Sequence, residues 1–445
     1  MERFDVVIVG GGFAGLVTAA ALADGRRRIA ILEARDAIQN RFSGELIHPS
    51  GVSVLGRLGL LDRLRETTGG ATVNGFVVAI DGDGDAIIPY DRVLGFSCNH
   101  VAMVETMRPE VEKRTGVTLR RGVRVREVIR SESGRVAGVR TEDGQEIHAS
   151  LVVIADGRHS KMRNVVGLSA ETELLSFTAA PLVSASVLPV QGHGHIFVGA
   201  WGPILAYPTE HGRARMCIDL PTDTDRATVR ERIRTTHARF VPPRLRAALL
   251  HALEEEELEI CATHRVFTRR CALPGVVMVG DAAGCCHPLT AAGMSVALHD
   301  AETLARQLDA LDPAASTSAQ GDRLFDLALL RYQEERYAFA RAREHLTNAL
   351  YEVFRGSDAP TRAVGLGLLR AWREDEELRR GSMALLAGLE SRPGAFVGAY
   401  LRVAGRSTRG VLTGQFGEAS LRGRTKALVG LAKLSARKVT QVLAT

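Results

Sequence analysis

Apolar and polar positions divide the chain into runs of two kinds. Phe4–Val9 (FDVVIV) is mostly apolar and β-branched, long enough for a strand buried in a parallel sheet. LVTAAALA from Leu16 reads as a helix, and RIAILEA, ending at Ala34, as a second strand. Two more buried strands end in an acidic residue beside a glycine: LVVIADG (Leu151–Gly157) and VVMVGD (Val276–Asp281). From about Met294 apolar residues return at helical spacing. Phe197–Pro208 (FVGAWGPILAYP) is an apolar, aromatic stretch. Beyond Thr361 the segments GLLRAW, SMALLAGL, AFVGAYLRVAG and KALVGLAKLSARKV predict amphipathic helices.

Composition adds bounds. The 445 residues suffice for two or three subdomains around a large core, and 45% hydrophobic with 24% charged residues is ordinary for a soluble globular protein. The opening MERFDVVIVGGG enters a strand at once, so no signal peptide is expected, and no long uncharged run suits a membrane span. The six cysteines show no paired spacing and read as reduced thiols of a cytoplasmic protein. Charge is uneven: Thr361–Thr445 holds fifteen Lys/Arg and six Asp/Glu, a net +9 within an overall +6. Such a tail suits an acidic partner, nucleic acid or an anionic membrane surface, or is simply a solvated helical face.

The chemistry starts at Gly10–Gly15 (GGGFAG), a G-x-G-x-x-G between predicted strand and predicted helix. Gly10 permits the tight turn, Gly12 lets backbone approach a pyrophosphate, and Gly15 lets helix and strand pack closely. The pyrophosphate would rest on the helix N-terminus. Glu33, eighteen residues past Gly15, is placed to accept hydrogen bonds from a ribose. This motif alone does not choose between FAD and NAD. Cys285, Cys286 and His287 are metal-binding types, but no further Cys or His stands nearby at ligand spacing, so no metal is expected.

Taken in order, the glycine fingerprint, Asp156-Gly157 and Gly280-Asp281 resemble the group A flavoprotein monooxygenases. HPLTAAGMSVALHD (His287–Asp300) further resembles the HPLTGGGMTVA segment of squalene monooxygenases (squalene epoxidases). So do RFSGELIHPSGVSVLGRLGLLDRL (Arg41–Leu64), VNGFVVAIDGDGDAIIPY (Val73–Tyr90), PILAYPTEHGRARMCIDLP (Pro203–Pro221) and NALYEVFRGSDAP (Asn348–Pro360). The resemblance implies an α/β chain: a Rossmann-type FAD-binding domain, an inserted antiparallel β-sheet substrate domain and C-terminal helices. The implied division is 1–72, 98–165 and 266–345 for FAD, 73–97 and 166–265 for substrate, and 346–445 as a helical region that contacts membrane.

The resemblance also implies roles. FAD would contact Gly10, Gly12, Phe13, Ala14, Gly15, Glu33, Ala34, Arg35, Arg41, Asp156, Gly157, Asp281, Pro288, Ala292, Gly293 and Met294, with Asp281 on the ribityl chain. A helix N-terminus after Gly293 would face the flavin pyrimidine and stabilise charge there by roughly 0.3–1 kcal/mol. Phe76, Phe197, Trp201, Leu205, Tyr207 and Leu289 are the candidate substrate wall. NADPH or NADH would reduce the flavin, directly or through a flavin/ferredoxin-type reductase. Oxygen would then form a C4a-hydroperoxide that epoxidises an alkene of an isoprenoid, squalene-like or prenylated substrate. An aromatic hydroxylase and a reductase of isoprenoid double bonds share the scaffold. No nucleic-acid partner is implied; the location would be cytoplasmic, peripheral to the inner membrane surface.

Four departures qualify the resemblance. His48 stands for the family's glutamine, Phe76 for the tyrosine of NGY, and Ala102 for an arginine; a fourth expected departure is the lack of the family's hydrophobic N-terminal anchor. They leave the substrate open. The substrate stretch is poor in acid–base pairs, so His48 is the candidate catalytic group, bonding flavin N5 or the peroxide or activating a phenol or indole. The alternative is that it caps the turn before Pro49.

Overall fold

The computed structural model describes residues 2–38, 42–80, 83–199, 202–310, 319–356, 358–416 and 421–443. The first apolar run forms the strand Glu2–Val9, inside an eight-stranded sheet. It lies parallel between Glu146–Ile154 and Ile29–Leu32, and Val276–Met278 and Val117–Arg120 extend this parallel core on either side. Val7, Ile8, Ile29, Ile31, Val152 and Val153 are completely buried, as strands covered on both faces require. The helices Phe13–Leu22 and Gly293–Asp309 pack on each other, so the two glycine-rich turns that start them meet.

A second eight-stranded sheet runs in the order Ile260–Thr268, Ala170–Ala179, Arg213–Leu220, Gly202–Pro208, Gly194–Gly199, Gly75–Ile80 and Gly84–Pro89, with Leu182–Ser184 beside Arg213–Leu220. Neighbours are antiparallel except Gly194–Gly199 beside Gly75–Ile80, which is parallel. Alternation of side chains gives the sheet two cores. Phe76, Val78, Ile196, Val198, Leu205 and Tyr207 face one. Phe197, Ile204, Ala206 and Met216 face the other, against the helix Pro243–Glu255. Three short strands, Leu46–Ile47, Gly95–Ser97 and Ala71–Val73, form a third sheet.

A 37-residue helix, Ala319–Arg355, touches strands of both large sheets. It runs unbroken through 345/346, where the sequence suggested a boundary. Ala359–Glu374, Glu376–Leu386, Pro393–Leu412 and Leu421–Leu443 follow. The first begins with a reciprocal capping box between Asp358 and Thr361, with Pro360 in its opening turn. Its buried stripe, including Val364, Leu368, Leu369 and Trp372, packs into the same core as Phe76 and Val78. Each such side chain contributes roughly 1.5–3 kcal/mol when fully buried. The apolar faces predicted in the tail are thus spent within the protein: Ala359–Glu374 and Glu376–Leu386 pack on the second sheet, and Pro393–Leu412 and Leu421–Leu443 pack on Ala359–Glu374 and on each other. Among the described residues no helix is long and apolar enough to cross a membrane.

Candidate active site

At Gly10 the chain turns with φ +112°, and a Cβ would come within 2.5 Å of the Ala155 carbonyl oxygen; a side chain does not fit. A Cβ on Gly15 would lie 1.9 Å from the Gly10 oxygen, so this glycine sets how closely helix and strand approach. Gly12 differs: nothing stands within 4 Å of where its Cβ would be. Its backbone borders a cleft of ≈ 860 Å³ that Phe13 and Ala14 also line. At the end of the second strand, the Gly11 N–H donates to Glu33 Oε2 (2.7 Å) and the Arg35 N–H to Glu33 Oε1 (3.0 Å). Glu33, Ala34 and Arg35 all line the cleft. Arg41 lies outside the described residues.

Asp156 and Gly157 enter the cleft from the end of Glu146–Ile154. Oδ2 of Asp156 accepts the Met162 N–H (3.3 Å), while among the described residues buried Oδ1 has no partner. Burial raises this carboxyl's pKa, against the opposing pull of the Ser160 hydroxyl and the Met162 N–H. Opposite, Asp281, Pro288, Gly293 and Met294 line the cleft, whereas Gly15 and Ala292 sit just behind it. A Cβ on Gly293 would be 3.9 Å from Asp281 Oδ1, so the carboxylate stands at the N-terminus of Gly293–Asp309. The preceding turn is clamped from beneath. Gly280 N–H donates to Asp300 Oδ2 (2.8 Å), and Arg336 bridges that same oxygen (3.1 Å) and the Gly280 carbonyl (3.3 Å). Cys285 and Cys286 contact different partners, the His264 carbonyl and the Thr347 hydroxyl, and burial pushes both thiols up.

Leu205, Tyr207 and Leu289 form the far wall of the same cleft. Leu289 also lines a second, apolar cavity of ≈ 80 Å³ between the sheet and the C-terminal helices, and Phe76 belongs to that cavity. Phe197 is a correction. Strand alternation puts it on the opposite sheet face, stacked on His195 and packed in the other core, away from both cavities. Trp201 lies outside the described residues.

His48 is 1% exposed and does not line the cleft. Its Nε2 faces the Thr290 carbonyl (2.6 Å), which only accepts, so Nε2 carries the hydrogen. Nδ1 then accepts from the Tyr90 hydroxyl (2.6 Å). Burial lowers its pKa from 6.5 to about 4. With both nitrogens engaged, the side chain neither caps the helix Pro49–Arg57 nor offers an N–H to the cleft; it ties the Pro288–Thr290 turn to the second sheet.

The cleft wall holds more charge than its sequence suggested. Arg215 forks onto Glu45, Nη2 to Oε1 (2.8 Å) and Nε to Oε2 (3.1 Å), and the Tyr207 hydroxyl donates to the same carboxylate (3.2 Å). His287 Nε2 lies 3.2 Å from Asp219 Oδ1, Tyr351 donates to Asp219 Oδ2 (2.9 Å), and His287 Nδ1 accepts the Leu289 N–H (3.1 Å). Each group is paired within the protein. Arg108 was also missed: with His100 and Val104 it forms an i, i+4, i+8 stripe of the helix His100–Glu112 along the cleft. Its Nη2 lies 3.5 Å from the Gly11 oxygen, and among the described residues its buried Nε has no partner.

Comparisons with known proteins agree with this architecture. A sequence model for squalene epoxidase matches residues 148–417, more than half of the chain. The chain belongs to the squalene epoxidase family. A model for an NAD(P)-binding Rossmann-like domain matches residues 8–55. "Squalene epoxidase 3" of Arabidopsis thaliana is 30% identical over 421 residues, covering 90% of this chain and 77% of that protein. "Squalene epoxidase erg1" of Schizosaccharomyces pombe is 25% identical over 417 residues, covering 90% and 89%. The fold is shared with p-nitrophenol 4-monooxygenase of Pseudomonas putida (TM-score 0.74, 21% identity, 88% and 100% coverage). It is shared also with a probable FAD-dependent monooxygenase of Pseudomonas aeruginosa (TM-score 0.68, 24% identity, 82% and 99%).

This squalene epoxidase family member is accordingly an FAD-dependent monooxygenase. Its residues fit the cofactor. Gly12 leaves a cradle that a side chain would fill, Asp156 holds a buried oxygen without a partner among the described residues, and Arg108 places a cation beside the dinucleotide turn.

Proposed function

We infer that this chain epoxidises an alkene of an isoprenoid, squalene-like or prenylated substrate. The observation that carries the reading is Leu289: this one side chain, on the turn that leads into the flavin-facing helix, lines both the large cleft and the apolar cavity under the C-terminal helices. A long apolar chain lying along that wall would pass from the sheet core to the cofactor. Glycines 10 and 12 and Glu33, Asp156, Asp281 and Arg108 would hold FAD, which when reduced supplies activated oxygen. The protein's part is to orient the alkene and exclude water.

The remaining residues support that division of labour. Epoxidation of an electron-rich alkene needs no base at the substrate, and the acid–base groups of the wall, Glu45–Arg215 and Asp219–His287, are saturated by one another. His48 positions the Pro288–Thr290 turn. The six-part division of the chain belongs to the same proposal, supported by which strands enter which sheet, with the last boundary falling inside one helix. Peripheral membrane contact is part of it too: Leu401, Leu412 and Val429 are half-exposed or more on helices rich in arginine and lysine.

Oxygen uptake by the NADPH-reduced enzyme, with and without squalene or a prenylated indole or phenol, tests the reading. Stimulated uptake with one of them is expected. Saturation of the alkene without oxygen consumption would instead identify a reductase.

A further inference from the structure

Among the described residues two buried polar groups of the apolar cavity beneath the helical layer lack a partner, the Tyr400 hydroxyl and the Trp372 indole N–H, and of these the indole can only donate. Trp372, 5% exposed, lines it from the helix Ala359–Glu374, and among the described residues its indole Nε1–H has no hydrogen-bond partner. The surrounding wall is hydrocarbon and aromatic ring: Phe76, Ile196, Val353 and Met383 are typical of it. The Thr290 hydroxyl at its border is engaged with Thr347 (2.7 Å). An indole N–H donates only. Buried tryptophans ordinarily find an acceptor for it, because a donor taken out of water without one is costly. A cavity built for hydrocarbon alone would be served as well by phenylalanine.

We propose that Trp372 Nε1–H donates to an oxygen of the bound substrate, so that the natural substrate is an isoprenoid carrying a hydroxyl, carbonyl or ether oxygen and not a bare hydrocarbon. This rests on the alkene-epoxidation reading and sharpens it. Leu289 lines both this cavity and the large cleft, so a chain whose oxygen-bearing end lies in the cavity would carry a double bond past that side chain toward the cofactor. The oxygen fixes the register of the chain, and with it which double bond is presented. Phe76 contributes to that register: its ring lies 6.0 Å from His48 and 6.2 Å from Tyr90, walling the cavity with carbon.

The test uses the FAD-loaded enzyme and two probes with one carbon skeleton, farnesol and farnesene. Their dissociation constants are measured by equilibrium binding for the native protein and for Trp372→Phe, which keeps an aromatic wall and removes the donor with part of the ring, the farnesene arm reporting the effect of the lost volume. Trp372→Phe is expected to weaken farnesol about tenfold and to leave farnesene within twofold. The indole N–H resonance that disappears in Trp372→Phe is expected to move downfield when farnesol binds and to stay in place with farnesene. Equal weakening of both probes would make Trp372 a packing residue and overturn the proposal, as would no change for either. Products assayed in parallel samples supplied with NADPH, a reductase and oxygen report on the epoxidase reading separately. Selective binding without oxygenated product removes that reading and keeps the Trp372 contact. Epoxidation of both probes without selectivity does the reverse.

Discussion

His48 is held neutral by its surroundings, and that has a measurable consequence. Its folded pKa is about 4 against 6.5 for a free side chain, chiefly because burial penalises the imidazolium. Between those two values the unfolded chain binds a proton that the folded chain refuses. Stability therefore falls as pH drops from 6.5 toward 4, by up to about 1.4 kcal/mol per pH unit for this group. In His48→Gln the amide N–H can donate to Thr290 and the amide oxygen can accept from Tyr90, so the fold is kept and the proton is lost. Urea unfolding at pH 7 and pH 5 is expected to show a pH-dependent loss about 1–2 kcal/mol smaller in His48→Gln. His195, also lowered to about 4 by burial, keeps a residual slope in both proteins. Equal losses would contradict the assignment. The position of His48 beside Pro49 was legible in the sequence. Its chemistry was not, because Tyr90 and Thr290 are 42 and 242 residues away.

At the scale of elements, local signals read well. Gly10 and Gly15 meet close contacts that a side chain would violate, Gly12 leaves its surroundings open, and Asp156 and Asp281 follow the apolar, buried ends of their strands. The helix His100–Glu112 shows where such reading stops. Ala102 replaces an expected arginine, and attention to that position hides Arg108, which reaches the cleft from a later turn of the same helix. Likewise Glu45 and Arg215 each lie in a segment quoted for its resemblance, yet their pairing spans 170 residues and only the fold reveals it. Arg108→Ala is expected to weaken FAD about tenfold or more, with Arg108→Lys intermediate and Asp281→Ala losing the cofactor. Titration of deflavinated protein with FAD, followed by quenching of flavin fluorescence, reads this without any turnover. Native affinity in Arg108→Ala would show that the guanidinium does not serve the cofactor.

For the whole molecule, the arrangement of layers decides what each apolar face does. The parallel sheet and its two packed helices form the cofactor side, and the second sheet turns one face to Pro243–Glu255 and the other to the C-terminal helices. That division explains why Phe197 and Leu205, both in one apolar stretch, part company: they sit on adjacent strands but point to opposite faces. It also explains the tail, whose amphipathic helices pack over the sheet while leaving a basic, partly leucine-studded exterior. Apolar cavity, shared Leu289 wall and dinucleotide cleft then lie in sequence, an arrangement suited to bringing a chain alkene to a flavin. The most direct measurement is the mass of the product formed under ¹⁸O-labelled oxygen gas from an isoprenoid alkene, with NADPH and a reductase supplied. One labelled oxygen atom in an epoxide, with none from unlabelled water, is the predicted result. A product without label, or a reduced alkene, would contradict the assignment of this chain as an isoprenoid epoxidase.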